Sequence, residues 1–263
     1  MSIQDLMLQE KSHVTSMGKA FLCERVVMRG KDLHLELGDL DWFSLYLYSI
    51  TGKRYSEEQL KMLNYIWVCT SYPDPSIWPN HVTELAANSR STPSLSLMSG
   101  LSISEASIYG RRPDRRAIDF LINTRKAVDS GGKLEDLINE SLKKYRIIYG
   151  YGRPLARIDE RVLHIVKKAK SLGFDSGEHF QLALDIYKYV KQHKRQTVNV
   201  AALAAAIGAD FGMSPEEYQL YLTPCFIAGM VPCYLDGMEK PEGSVFPMRC
   251  QSIEYSGPHK RSW

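Results

Sequence analysis

The sequence predicts an all-α protein. Three observations carry this. Apolar residues recur at the three- and four-residue spacing of a helix face through most of the chain. The segments so marked are bounded by Ser, Asp, Gly or Pro at positions that start or stop helices. Alternating β-branched runs are nearly missing, apart from a short hairpin signal at Phe21–Met28.

Each element follows in order. Asp39 to Ile50 carries Leu40, Phe43, Leu47 and Ile50 at helical spacing, and Thr51-Gly52 closes it. Ser56 opens a second helix, with Gln59 at the capping-box position and Leu60, Leu63, Ile66 and Trp67 on one face. The Pro-rich stretch Tyr72–Pro79 breaks the pattern. Val82–Ala87 and Leu95–Ala106 are helices rich in Ala and Ser, suited to close packing. Asp114–Ala127 and Leu134–Lys144 are amphipathic, with Gly131-Gly132 as the stop and turn between them. A Gly-rich loop, Tyr149–Arg161, leads to Val162–Leu172, ended by Gly173. Glu178–Lys194 turns Phe180, Leu184, Tyr187 and Val190 inward. Val200–Phe211 is dominated by Ala, Ile and Leu and reads as a buried helix. Ser214, Pro215 and Glu216-Glu217 supply an N-cap, a first-position proline and first-turn acids, and that helix is expected to run through Phe226. From Glu239 onward the chain reads as loop.

Bulk properties narrow the function classes. The 263 residues allow one large domain, or two small ones sharing a core. Hydrophobic residues at 44% and charged residues at 24% are ordinary for a globular protein. A net charge of +3 demands no nucleic-acid partner. No stretch approaches the ~20 apolar residues of a membrane helix, and the polar N-terminus does not read as a signal peptide. The five cysteines form no CxxC pair, consistent with reduced thiols in a cytoplasmic protein. His13, His34, His164, His179, His193 and His259 lack metal-ligand spacing, so no metal site is expected.

Four segments, in order, resemble the citrate synthase superfamily. Arg29-Gly30 and the Leu-rich helix after it, ending in Thr51-Gly52, resemble the family's "RGY…EL" segment. Tyr149–Arg161 resembles its "GFGH…DPR" loop, and Thr197–Ala202 its "PNVD". Ile253–Arg261 looks like the C-terminal "EYTGPxxR" of the short citryl-CoA lyase-like members, whose length also fits. The resemblance implies a large helical domain (residues 1–109 and 202–263), a smaller one (110–201), an active site between them, and a homodimer. It implies no tightly bound cofactor, with a CoA thioester as substrate alongside a polycarboxylate.

The family joins or breaks a C–C bond beside a CoA thioester, using an Asp base, two His and several Arg. Here the Asp of "NVD" falls on Ala201, the loop His on Arg153, a second His on Tyr109 beside Gly110, and a late Arg on Gly229. Ordinary α-proton abstraction is therefore not expected. The resemblance leaves Tyr109, Arg153 and His81 as candidate catalytic groups. Arg161, Arg249 and Asn88 are candidate substrate binders, and Arg157, Asn199, Gly150 and Gly152 are candidates for holding the CoA moiety. Arg suits this substitution because its planar fork matches carboxylates and phosphates. Tyr109 could donate a hydrogen bond to an oxyanion. His81 shares a helical face with Glu84 by spacing, and Glu84 and Asn88 compete with it for one family role. Arg111, Arg112, Arg115 and Arg116 crowd a helix start, against the dipole, which fits either a bound anion or an exposed charged turn. Two functions stay open: an atypical lyase or acyltransferase, and a non-catalytic binding or regulatory subunit, a pseudoenzyme. An unrelated helical protein is a third reading.

Overall fold

The computed structural model describes residues 2–11, 13–107, 111–152, 158–194, 196–245 and 248–258. Two compact units emerge: Met1–Val68 with Pro113–Leu222, and Cys69–Arg112 with Thr223–Trp263.

The first unit opens with helix α1 (Ile3–Lys11) and a small antiparallel sheet. Strands β1 (Gly18–Phe21), β2 (Arg25–Met28) and β3 (Lys31–Asp32) lie in sequence order, pairing Gly18 with Met28 and Val27 with Asp32. The expected hairpin is thus present and gains a third strand. Arg29 and Gly30 turn the chain between β2 and β3 with positive φ. The Arg29 guanidinium donates to the carbonyls of Ser49 (2.8 Å) and Ile50 (2.6 Å), orphan acceptors at the end of helix α2 (Trp42–Thr51). Asp41 caps the start of α2 by accepting from the Ser44 N–H at 3.0 Å. Gly52, in the left-handed region, ends it.

Helix α3 (Glu57–Thr70) begins with the reciprocal box that its sequence announces. The Ser56 N–H donates to Gln59 Oε1 at 2.9 Å, and the Gln59 N–H to Ser56 Oγ at 3.2 Å. In the second unit, helices α4 (Trp78–Asn88) and α5 (Pro93–Ser104) start earlier than the apolar pattern suggests, because Pro79 and Pro93 occupy their first turns. Helix α6 (Arg111–Asp129) likewise begins ahead of Pro113. Helices α7 (Leu134–Tyr145), α8 (Glu160–Ser171), α9 (Glu178–Lys194), α10 (Val200–Asp210) and α11 (Pro215–Leu222) follow in the first unit. The expected continuous helix from Ser214 to Phe226 is instead α11 and a 3-10 turn, Thr223–Phe226. Pro224 has no N–H to donate to the Leu220 carbonyl, which accepts from the Tyr46 hydroxyl at 2.7 Å instead. Helix α12 (Ile227–Glu239) completes the second unit, before a single 3-10 turn at Cys250–Ser252.

The core of the first unit surrounds α10. Every residue from Ala202 to Ala209 is buried. Gly208 admits the Tyr218 ring so closely that a Cβ there would lie 2.6 Å from Cδ2. Met62, Leu63, Ile66, Ile118, Leu121, Ile165, Phe180 and Tyr221 fill the remainder. Burial on this scale is the main stabilising contribution.

The second unit packs α4, α5 and α12 against one another through small residues. A Cβ on Gly237 would meet the Glu84 carbonyl at 2.6 Å, and one on Gly100 the Pro79 carbonyl at 2.8 Å. Arg90 caps α12 by donating to the Lys240 carbonyl at 2.8 Å. Helix α5 buries its small residues Ser96, Gly100 and Ser104, while Leu95 (61%) and Met98 (63%) stand exposed. No helix among the described residues is long and apolar enough to cross a membrane.

Candidate functional site

Three distant segments meet at the first turn of α10. Asn199 is its N-cap, its side-chain oxygen accepting from the Ala201 N–H at 2.9 Å. The Asn199 amide donates to the Gly152 carbonyl at 2.9 Å, and its backbone N–H to the Gly150 carbonyl at 2.9 Å. The Gly152 N–H donates to the Thr197 carbonyl at 2.6 Å, and Tyr151 pairs with Val198 in an antiparallel bridge. Gly150 must be glycine here. Its φ is +90°, and a Cβ would sit 2.6 Å from Ala202 Cβ and 2.8 Å from the Ala202 nitrogen. The Tyr151 ring is buried, its hydroxyl donating to the Ala183 carbonyl at 2.9 Å, and burial pushes its phenol pKa far up.

Asp159 is the third contributor and lies fully buried. One carboxylate oxygen accepts from the Arg161 N–H (3.1 Å) and Arg161 Nε (2.9 Å). The other accepts from Arg161 Nη2 (2.9 Å) and from the Val200 N–H (2.9 Å). Asp159 therefore caps α8, satisfies the first N–H of α10 and grips a guanidinium in a bidentate fork. Burial pushes its carboxyl pKa up, but Arg161 and the backbone donors outweigh this and hold it below the ordinary value. The Arg161 side chain is one-fifth exposed.

Sequence reasoning singled out Arg161, Asn199, Gly150 and Gly152, and the structure brings these four together. By sequence, Asp159 and Glu160 are acidic competitors for the nearby arginines, a pairing that would favour the non-catalytic reading, and Asp159 is indeed paired with Arg161. The signal was present in part, since an Asp directly before a helix start is a preferred N-cap. Its contact with Val200, 41 residues away, has no local signature.

The second unit places the remaining candidates differently. His81 is exposed in the first turn of α4, and Glu84 is buried and paired with Lys240, which also reaches Asp236 at 2.6 Å. Asn88 is buried: its amide donates to Ser244 Oγ at 2.8 Å and its oxygen accepts from the Val245 N–H at 3.1 Å, pinning the segment after α12. Arg249 is exposed beside the 3-10 turn. Gly229 abuts the Tyr72 carbonyl, leaving no space for any side chain. That carbonyl is held by the Asn80 amide at 2.6 Å. Tyr109, Gly110, Arg153 and Arg157 lie outside the described residues.

The arginine cluster at the start of α6 is largely engaged internally. Arg111 is buried, 2.7 Å from the Cys225 sulfur and stacked 3.6 Å over the Phe226 ring. Arg115 pairs with Glu216, and Arg116 with the Tyr149 hydroxyl. Arg115 and Arg116 fit the exposed charged turn, whereas Arg111 is buried against the Cys225 sulfur and the Phe226 ring and fits neither reading. Among the described residues no group of three or more His, Cys, Asp or Glu side chains could hold a metal ion.

A family model described as the citrate synthase C-terminal domain matches residues 14–234. Citryl-CoA lyase from Hydrogenobacter thermophilus has a similar structure, with a TM-score of 0.80 at 20% identity, over 95% of this chain and 97% of that one. ATP citrate lyase from Methanosaeta concilii, in complex with (3S)-citryl-CoA, gives 0.74 at 18% identity, over 99% of this chain but 45% of that one. Citrate synthase from Thermotoga maritima gives 0.67 at 15% identity, over 86% and 60%. A search of curated proteins finds no match.

Proposed function

Because the chain belongs to the citrate synthase family, we propose that it binds a CoA thioester or related carboxylate ester and acts on it by non-standard C–C bond or acyl chemistry. The observation that carries this is the first turn of α10. The glycine-loop backbone, the Asn cap and the Asp-x-Arg unit are assembled there, while the position that resembles the family's base is Ala201. Methyl groups cannot accept a proton. A cation held beside that turn can stabilise an enolate or oxyanion made without α-proton removal, as in cleavage of a C–C bond or acyl transfer. The ATP citrate lyase complexes with citryl-CoA, and with citrate and coenzyme A, support this ligand class.

The other assignments are proposed residue by residue. Tyr109 and Arg153 would serve as oxyanion donors, with His81 as a proton donor. Arg161 and Arg249 would hold carboxylates, and Arg157, Gly150 and Gly152 the CoA moiety. A domain division at 110–201 is proposed in the same way. A homodimer is proposed with α5 at its contact, where Leu95 and Met98 stand exposed. Sedimentation should give a dimer for the parent and a monomer for Leu95→Lys/Met98→Lys. A parent monomer at micromolar concentration would overturn it.

A second reading has its own support. Arg161 is already paired with a buried carboxylate, and Gly229 is closed by backbone, which fits a binding subunit without turnover. The test is a thermal-shift and calorimetric screen of CoA, acyl-CoAs, citrate and smaller carboxylates, since a native-state ligand raises the melting temperature. Binding with turnover supports the enzyme, and binding without it supports the second reading. If no ligand in the screen binds, both fail.

A further inference from the structure

Two apolar surfaces of the first unit stand uncovered. One is helix α1. Ile3, Leu6 and Met7 are each more than half exposed, and their three- and four-residue spacing puts them on one helix face. Ser2 and Asp5 close a reciprocal cap at the start of α1, at 2.7 and 3.1 Å. A nine-residue helix is nevertheless marginal in water without packing. α1 also lies ahead of residues 14–234, so the family match does not account for it.

The other surface is a hollow of about 530 Å³ in the small sheet, within the roughly 300–1,000 Å³ of sites that enclose a ligand. Met17, Ala20, Val26, Met28 and Leu33 give it an apolar lining, and its charged lining residues, Lys19 and Arg29, are both cations. It borders β1, an edge strand whose Gly18, Lys19 and Ala20 are exposed. Proteins commonly shield such an edge with a helix. We propose that α1 of a second copy of this chain docks in this hollow, reciprocally, with Ile3, Leu6 and Met7 on the apolar lining and Glu10 against the two cations.

The charges are complementary. Glu10 follows Leu6 by four residues and Met7 by three, which places it at the end of the apolar stripe. Asp5, Glu10 and Lys11 give α1 a net charge of −1. On the sheet, Asp32 accepts from the N–H groups of His34 and Leu35, and Glu36 accepts from Lys31 and the Asp32 N–H. Glu24 sits in the hairpin turn, and none of these three acids lines the hollow. Lys19 lies 4.9 Å from the centre of the Phe21 ring and Arg29 donates to two carbonyls. Neither cation has a carboxylate partner among the described residues. The chain's own α1 leaves the hollow open, its described side chains in solvent although Met17, six residues beyond Lys11, lines the rim. A second copy meets the same two surfaces twice about a two-fold axis. The contact uses no residue of α5 and is tested apart from it.

The experiment places a photoreactive benzoylphenylalanine in the full chain in place of Met7 or, separately, of Ile3, and irradiates at micromolar concentration. Both should give a covalent dimer on a denaturing gel, with the crosslinked peptide mapping within residues 17–33. Ala20→Asp alters an exposed position and should leave the circular dichroism unchanged. It should cut the dimer band about tenfold or more, because it sets a carboxylate in the apolar lining and against Glu10. Glu10→Lys should lower the band about two- to fivefold, the scale of a rim ion pair. Crosslinks to residues 17–33 that run only as monomer mean that α1 folds onto its own chain, and they overturn the proposal. A dimer band mapping elsewhere, a band insensitive to either substitution, or no crosslink from either position overturns it as well.

Discussion

Gly150 and Gly152 offer a matched test of how the glycine loop seats on α10. Both have positive φ, +90° and +85°. Only their surroundings differ. A Cβ at Gly150 would lie 2.6 Å from Ala202 Cβ and 2.8 Å from its Cα, whereas at Gly152 the nearest atoms belong to Gln196, 4.0 Å away. Alanine in this backbone region costs about 1–2 kcal/mol at either site. Gly150→Ala adds an overpacking cost of about 1–3 kcal/mol, because the atoms it strikes belong to a buried helix that cannot yield. The gain from a stiffer unfolded chain is common to both variants and cancels in the difference. With a urea m-value near 3 kcal/mol/M, Gly150→Ala should lower the midpoint by roughly 1 M and Gly152→Ala by about half that. Far-UV circular dichroism in urea measures both. Equal shifts would refute the close seating of Gly150 on Ala202, whatever their size.

Two further outcomes follow from the same turn of α10. The Asp159 carboxyl is held below its ordinary pKa, so its contribution to stability is complete above about pH 4 and is lost as pH falls through the lower folded value. The stability gap between the parent and Asp159→Asn should therefore be constant near neutrality and close in acid; a gap that instead widens as pH falls would contradict the sign. On the proposed match of Ala201 to the family's base, acetyl-CoA and oxaloacetate should release no thiol, since losing a positioned base costs about 100- to 10,000-fold. A thiol-reagent assay showing ready turnover would disprove this.

Helix starts were legible where a side chain and backbone sit three residues apart. The Ser56–Gln59 and Ser214–Glu217 boxes both close as their sequences suggest. Proline was harder to read. Pro79, Pro93 and Pro113 look like breaks but occupy first turns, where their missing N–H costs nothing. Helix α12 was not recognised, because Gly229, Pro232 and Gly237 interrupt its pattern. The glycines are there for close approach to the Tyr72 and Glu84 carbonyls. Pro232 is tolerated because it and Ala228, whose carbonyl loses its i+4 donor, both face solvent. In the site, the caps Asn199 and Asp159 could be read from local spacing, but the bond from Val200 to Asp159 is set by tertiary packing alone.

The first turn of α10 combines two facts that point to one kind of chemistry. Its second residue, Ala201, brings no functional group, and its backbone N–H is already taken by Asn199. The buried carboxylate nearest in the network, Asp159, holds a cation and two helix ends through four accepted bonds. To act as a base it would have to release Arg161 and the Val200 N–H, leaving a buried donor unsatisfied and a cation without its fork. Its lowered pKa also makes it a poor proton acceptor at neutral pH. Asp159 is therefore no replacement for a base at position 201. On the proposed reading, Arg161 binds an anion at this joint, or stabilises one formed by bond cleavage, without Asp159 removing a proton from carbon.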